Sequence, residues 1–210
     1  MVEPDSCTTQ LLEARMHTHL HGNRPALFSG RGSRLYDFTA RRLVRRLYRR
    51  IADDLVNALP VGADVLDVGT GPGVLLVELA NRRKDLQLKG IDLSADMIAA
   101  AERNVAQFAD RTSVRTGDVT ALPFDDDSFD VVVTSLSSHH WDDPEAAVGE
   151  LARVLRSGGS FIDYDFRFAP FDTITETASE RGLFGGKPVV RQFATGIPFL
   201  PKMERLALTS

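Results

Sequence analysis

The chain has 210 residues, 25 basic against 29 acidic for a net charge of −4, with 43% hydrophobic and 26% charged residues. That balance excludes a wholly disordered chain, the 16 glycines show no collagen period, and the mild acidity argues against non-specific nucleic-acid binding. The single cysteine, Cys7, can make neither an internal disulfide nor a cysteine-based zinc site, and no apolar run approaches the ~20 residues of a membrane span.

Two segments are expected: an N-terminal helical cap over 1–60 and a core over 61–210. The first begins with a polar, acidic leader, MVEPDSCTTQ, that lacks the features of a signal peptide, so a cytoplasmic protein is expected. His17, His19 and His21 alternate along this leader and read as solvated residues, not a metal site. A helix follows, with Leu43, Leu47, Ile51, Leu55 and Leu59 at four-residue spacing and Val44 and Tyr48 beside them. Its other face carries Arg41, Arg42, Arg45, Arg46, Arg49 and Arg50. That face reads first as solvated and second as a weak contact for an anionic surface.

From Val61 to Phe166 strands and helices alternate. The runs ADVLDVG, LQLKGID, TSVRTGD, FDVVVTSLS and GSFIDYDF read as strands. The helices between them are PGVLLVELANRRK, ADMIAAAERNVAQFA and PEAAVGELARVLRS, the last opened by Pro144 and closed by Gly158. Such alternation predicts a parallel sheet with helices on both faces. After a short helix in DTITETASERG, the runs PVVRQFATG and MERLALTS read as an antiparallel hairpin at one edge. The fold class is therefore α/β, doubly wound, with a mostly parallel seven-stranded sheet.

Three strand ends carry chemistry. VLDVGTGPG places Gly69, Gly71 and Gly73 at a strand-to-helix turn, where glycine permits positive φ and close approach of a ligand. The spacing G-x-G-x-G is not the dinucleotide fingerprint G-x-G-x-x-G. Asp67 before it would repel a pyrophosphate and attract an ammonium or sulfonium. Asp92 ends the second strand about 20 residues on, where a carboxylate suits ribose hydroxyls; Ser94 is the better placed helix cap. Asp118 could accept from an exocyclic amine while the Val119 backbone donates to a ring nitrogen. Leu93 and Met97 could flank the ring, although their spacing also suits core. Asp118 has its own local alternative, an Asx-type turn.

Together these segments resemble the class I S-adenosylmethionine-dependent methyltransferases, of the small-molecule type that includes ubiquinone and menaquinone biosynthesis methyltransferases. VLDVGTGPG resembles the first motif, GIDLSADMI the ribose motif, GDVTALPFDDDSFDVVV the adenine motif and HHWDDPEAAVGELARVLRSGGSFIDYD the block after the fourth strand. The resemblance covers about half the chain and implies a Rossmann-like core binding S-adenosylmethionine, with S-adenosylhomocysteine as product. It implies that Gly69, Gly71 and Gly73 lie near the methionine moiety with Asp67 supporting them. Asp92 would hold the ribose, Leu93 and Met97 would lie by the adenine, and Asp118 and Val119 would read its edge. Ser135 and Leu136 would line the methyl-donor end. His139 and His140 stand where the family places substrate-facing residues, so either could act as a base, with His140 also in the substrate pocket. Tyr36 and Phe38 fall where the family builds a lid. The implied activity is methyl transfer to an O, N or C nucleophile of a small molecule, by a monomer or homodimer. The other reading is a regulatory or scaffold protein that binds the same cofactor without turnover. A nucleotide-dependent oxidoreductase fits neither the glycine spacing nor Asp67. The segment SLSSHHWDD lacks the Asn-Pro-Pro-Tyr type of sequence used on nucleic acid.

Overall fold

The computed structural model describes residues 31–197, 200 and 202–210, with side chains from residue 42 onward. The helix α1, Arg31–Val56, opens the described chain. Of the described residues, those up to Val44 belong to one compact unit and those from Arg45 to Ser210 to a second, which holds the sheet. Within the second unit Leu47, Ile51, Ala52 and Leu55 of α1 are buried, as their four-residue spacing requires.

Strands and helices alternate as far as the third strand, and the fourth follows it with no helix between: β1 Asp64–Val68, α2 Val74–Arg82, β2 Gln87–Asp92, α3 Ala95–Val105, β3 Thr112–Thr116 and β4 Phe129–Ser135. They are followed by α4 Pro144–Val154, β5 Leu155–Phe166, α5 Phe171–Glu180, β6 Val189–Phe193 and β7 Met203–Thr209. The seven strands form one sheet in the order β3-β2-β1-β4-β5-β7-β6. Neighbours are parallel from β3 through β5, and β7 is antiparallel to both β5 and β6. This is the doubly wound, mostly parallel sheet with the antiparallel hairpin that the sequence pattern anticipates.

The β-branched run of β4 is buried along nearly its whole length because helices cover both faces. On one face Leu66, Val132, Phe161 and Leu206 pack with Val148 and Leu151 of α4 and Ile174 of α5. The alternating residues Val65, Val131, Val133 and Ile162 are buried too. At the C-terminal end of α1, Asp54 accepts from Tyr164 of β5 and pairs with Arg191 of β6 and Arg205 of β7.

One helix ends earlier than its sequence suggests. Asp143 caps α4 by accepting from the Ala146 N–H at 2.9 Å, and Pro144 occupies its first turn. The helix stops at Val154, four residues before Gly158. Leu155 is already extended and pairs with Phe129, and Gly158, at φ +80°, takes the turn before Ser160 joins Val131. The sheet's pull on Leu155 overrides the helical pattern of its sequence.

The strand order reverses beside β1: β2 and β3 lie to one side, β4 and β5 to the other. Connections leaving β1 and β4 diverge there, and a crevice opens beyond their carboxyl ends.

Candidate functional site

The crevice is floored by the turn after β1. Gly69, Gly71 and Gly73 all have positive φ, at 70°, 53° and 74°. At Gly69 the reason is contact: a Cβ would lie 1.9 Å from the Ser137 Oγ, so the turn meets the loop after β4 there. At Gly71 a Cβ would touch nothing within 4 Å, which leaves the turn open on the crevice side. Gly73 starts α2, and a Cβ there would press on Ala101 of α3 at 3.2 Å.

Asp67 is buried at the end of β1. Its Oδ2 accepts from the Thr70 hydroxyl at 2.7 Å, while its Oδ1 has no hydrogen-bond partner among the described residues. Burial pushes its carboxyl up to about 7; the charge of Asp92 acts in the same sense and the Thr70 hydrogen bond opposes both. Asp92 stitches the turn to the second strand: its Oδ2 accepts from the Gly71 N–H at 2.8 Å and its Oδ1 from the Ser94 N–H at 2.9 Å. Ser94 caps α3, accepting from the Met97 N–H. Leu93 is 74% exposed, unusual for leucine, and Met97 is partly buried one turn along. After β3, Asp118 uses its Oδ1 for the backbone and hydroxyl of Thr120, at 2.9 and 2.8 Å, the Asx-type turn. Its Oδ2 takes no part in those bonds. Val119 packs against the core cluster.

The other wall follows β4. Ser135 is buried, and Leu136 adopts φ +54°, a left-handed conformation that a leucine rarely takes. Its N–H is held by the Tyr164 carbonyl at 2.9 Å, and the reversal turns the chain into the loop 137–140. Backbone strain of this sort gathers at ligand sites.

That loop carries the site's most organised group. His139 Nδ1 lies 2.8 Å from Asp165 Oδ1 and 2.9 Å from Oδ2. Asp165 is fully buried on β5 yet well supplied with donors: besides the imidazole it accepts from the Ser138 hydroxyl at 2.9 Å, the His139 N–H at 3.2 Å and the Phe166 N–H at 2.8 Å. A carboxylate only accepts, so the imidazole proton belongs on Nδ1 and Nε2 becomes the basic nitrogen. His140 is exposed, its ring 3.9 Å from that of His139. Phe166 and Phe168 stack on each other, and both rings meet His139 edge-on at 5.6 Å.

The structure thus brings Asp67, the three glycines, Asp92, Ser135, Leu136 and His139 to the carboxyl edge of the sheet, with Leu93, Met97, Asp118 and Val119 beyond β2 and β3. The side chains of Tyr36 and Phe38, the leader histidines and Cys7 lie outside the described residues. Two functional candidates escape the sequence reading. Asp165 looks like one more residue of a strand until β5 sets it against His139. Tyr48 reads as a core position of α1, but its hydroxyl stands beside Ser135; burial, together with Asp67, Asp165 and Asp92, pushes its phenol well up. A tyrosine on an apolar stripe, with a polar tip needing a partner, was the available signal.

The arginine face is only partly solvated. Arg45 and Arg49 pair with buried Glu78 of α2, which also binds Arg82, and Arg82 reaches Asp53. Among the described residues no group of histidines, cysteines and carboxylates could hold a metal, and no helix is long and apolar enough to cross a membrane.

Comparison with known proteins gives concordant matches. A family model described as a methyltransferase domain matches residues 66–163. The chain is 34% identical over 132 residues to the demethylmenaquinone methyltransferase of Renibacterium salmoninarum, covering 61% of this chain and 53% of that protein. It is 34% identical over 145 residues to the 27-O-demethylrifamycin SV methyltransferase of Amycolatopsis mediterranei, covering 67% and 53%. The match therefore spans about half the length of these relatives. The SAM-dependent methyltransferase of Aquifex aeolicus has the same fold, with a TM-score of 0.62 over 78% of this chain and 92% of that one at 17% identity.

Proposed function

We propose that the chain carries a class I S-adenosylmethionine-dependent methyltransferase domain, the reading that its matches support, and that it transfers a methyl group to a hydroxyl of a small molecule, with His139 as the base. The observation that carries this reading is the pair of contacts from His139 Nδ1 to Asp165, at 2.8 and 2.9 Å. Of the O, N and C nucleophiles, a hydroxyl offers a base held in one tautomer its proton directly, whereas a neutral amine needs none removed before it attacks.

The residues fit the cofactor. Asp67 Oδ1 is a buried acceptor lacking a donor, which the methionine ammonium would supply, and the turn at Gly71 is open where a ligand must approach the backbone. Asp92 would hold the ribose hydroxyls, Asp118 Oδ2 and the Val119 N–H the adenine edge, and Leu93 and Met97 its faces. When bound, S-adenosylmethionine supplies a methyl group already activated on a sulfonium. What remains for the protein is alignment, exclusion of water and one proton. Ser135, Leu136 and the Tyr48 hydroxyl line the methyl-donor end. His139 Nε2 takes the acceptor's proton, and Asp165 steadies the imidazolium that results.

On the resemblance alone we read 1–60 as a cap, with Tyr36, Phe38 and His140 as substrate-pocket residues. A cytoplasmic monomer or homodimer is proposed. Contact with an anionic surface through Arg41 to Arg50 would be weak, since Glu78 already engages two of these arginines.

The test is a transfer assay with labelled cofactor on a panel of phenols and alcohols. His139→Ala should lose turnover and keep S-adenosylhomocysteine affinity. Equal turnover in wild type and variant would remove the base.

A further inference from the structure

Asp163 is fully buried on β5, and neither carboxyl oxygen has a hydrogen-bond partner among the described residues. Strand alternation places it on the same face as Phe161 and Asp165, about 7 Å from each along the strand. Thr134 of β4 and Leu206 of β7 flank it in register. The Thr134 hydroxyl is committed to the Val68 carbonyl. The helices covering this face, α4 and α5, bury Ala147, Val148, Leu151, Val154, Phe171, Ile174, Thr177 and Ala178, none of which carries charge. Among the described residues the titratable groups that share this face with Asp163 are Asp165, Glu204 opposite it on β7 and, behind Asp165, His139. Among the described residues no cation pairs with Asp163, and an ionised, unpaired carboxylate in such a layer is costly. Burial first, and the charge of Asp165 second, push its carboxyl well above the ordinary carboxylate range. The nearest mobile donor is the Ser138 hydroxyl, now given to Asp165 Oδ2 at 2.9 Å.

We propose that Asp163 is a positioning residue for the His139–Asp165 pair: by carrying a proton it leaves the Ser138 hydroxyl to Asp165 and keeps Asp165 the single carboxylate charge under the imidazole. When Asp163 ionises it competes for the Ser138 hydroxyl and places a second negative charge in the layer. Asp165 then loses a donor, and the contacts that orient the His139 ring on it loosen. Asp163 touches neither cofactor nor acceptor. Its catalytic meaning rests on the base role proposed above for His139; its proton does not.

The experiment is an NMR titration of the full chain from pH 5 to 9.5, following the His139 ring nitrogens and the aspartate carboxyl carbons in wild type, Asp163→Asn and Ser138→Ala. Asp163, assigned by its loss in Asp163→Asn, should stay protonated well above the ordinary carboxylate range. Its titration should appear as a second inflection in the His139 shifts, absent from Asp163→Asn. In Ser138→Ala the Asp163 midpoint should rise. An Asp163 that titrates in the ordinary carboxylate range, or identical His139 curves in wild type and Asp163→Asn, would overturn the proposal. Should Asp163→Asn fail to fold, the absence of a shared inflection in wild type and Ser138→Ala decides against it. Calorimetry with S-adenosylhomocysteine reads the cofactor assignment separately, and Asp163→Asn should bind it within twofold of wild type.

Discussion

Asp67 ties cofactor binding to pH. Its carboxyl is pushed up to about 7 by burial, its Oδ2 is taken by Thr70, and its Oδ1 awaits a donor. The amino group of S-adenosylhomocysteine is a cation and prefers the ionised carboxyl. With a midpoint of about 7, roughly 1% of Asp67 is ionised at pH 5 and roughly 90% at pH 8, provided the bound form stays ionised throughout. Affinity should therefore rise about ninetyfold over that range, or about 2.7 kcal/mol. Calorimetry at pH 6 in two buffers of different ionisation enthalpy should count close to one proton released per ligand. Asp67→Asn should flatten the profile and bind about 1.5–3 kcal/mol more weakly at pH 8, the range for hydrogen bonds to charged groups. The ligand-free chain gives the converse sign. A raised carboxyl stabilises the fold below its unfolded pKa near 4 and loses that contribution as pH rises through about 7, up to about 4 kcal/mol. Asp67→Asn should lose less stability than wild type between pH 4 and 8. Affinity independent of pH in wild type, with no proton released, would refute the pairing of Asp67 with the ligand's ammonium.

Asp92→Ala should weaken S-adenosylhomocysteine by about 1.5–3 kcal/mol and, because the Gly71 and Ser94 N–H groups lose their acceptor, lower fold stability by about 1–3 kcal/mol in denaturant titration. Gly69→Ala, with its Cβ against Ser137, should lower the melting temperature more than Gly71→Ala, which pays only the left-handed backbone term of about 1–2 kcal/mol; the reverse order would mean that the two loops do not meet there. Asp165→Asn should reduce kcat by about 10²–10⁴-fold with cofactor affinity retained, as expected when a base loses its tautomer. Glu78→Ala should destabilise by about 1–3 kcal/mol, chiefly through Arg82, which loses its buried acceptor, since Arg45 and Arg49 are exposed and water replaces theirs.

The strands and helices from Asp64 to Glu180 were legible because each carries its own period and turn chemistry: the glycine turn after Val68, Ser94 as a cap, Pro144 opening α4. Gly158 misled because a glycine marks either a helix end or a turn between strands, and only the pairing of Leu155 with Phe129 decides. The strand-end carboxylates Asp67, Asp92 and Asp118 were legible from local motifs. The structure adds that Asp92 and Asp118 also hold backbone donors. The partners of His139 were not legible, since Asp165 lies 26 residues away and meets it only through the pairing of β4 with β5. Tyr48 was hidden for the same reason: its apolar ring satisfies the helical stripe and its hydroxyl reports only in three dimensions.

The central claim is that the ends of β1, β2 and β3 together hold one adenosyl ligand whose sulfur end points at the loop after β4. A crystal structure of the full chain with S-adenosylhomocysteine tests it most directly. The ligand's amino group should lie within hydrogen-bond distance of Asp67 Oδ1, both ribose hydroxyls at Asp92, and the adenine amine at Asp118 Oδ2, with the sulfur facing Ser135 and His139. An adenine placed at the turn of Gly69–Gly73, or a ribose out of reach of Asp92, would contradict it.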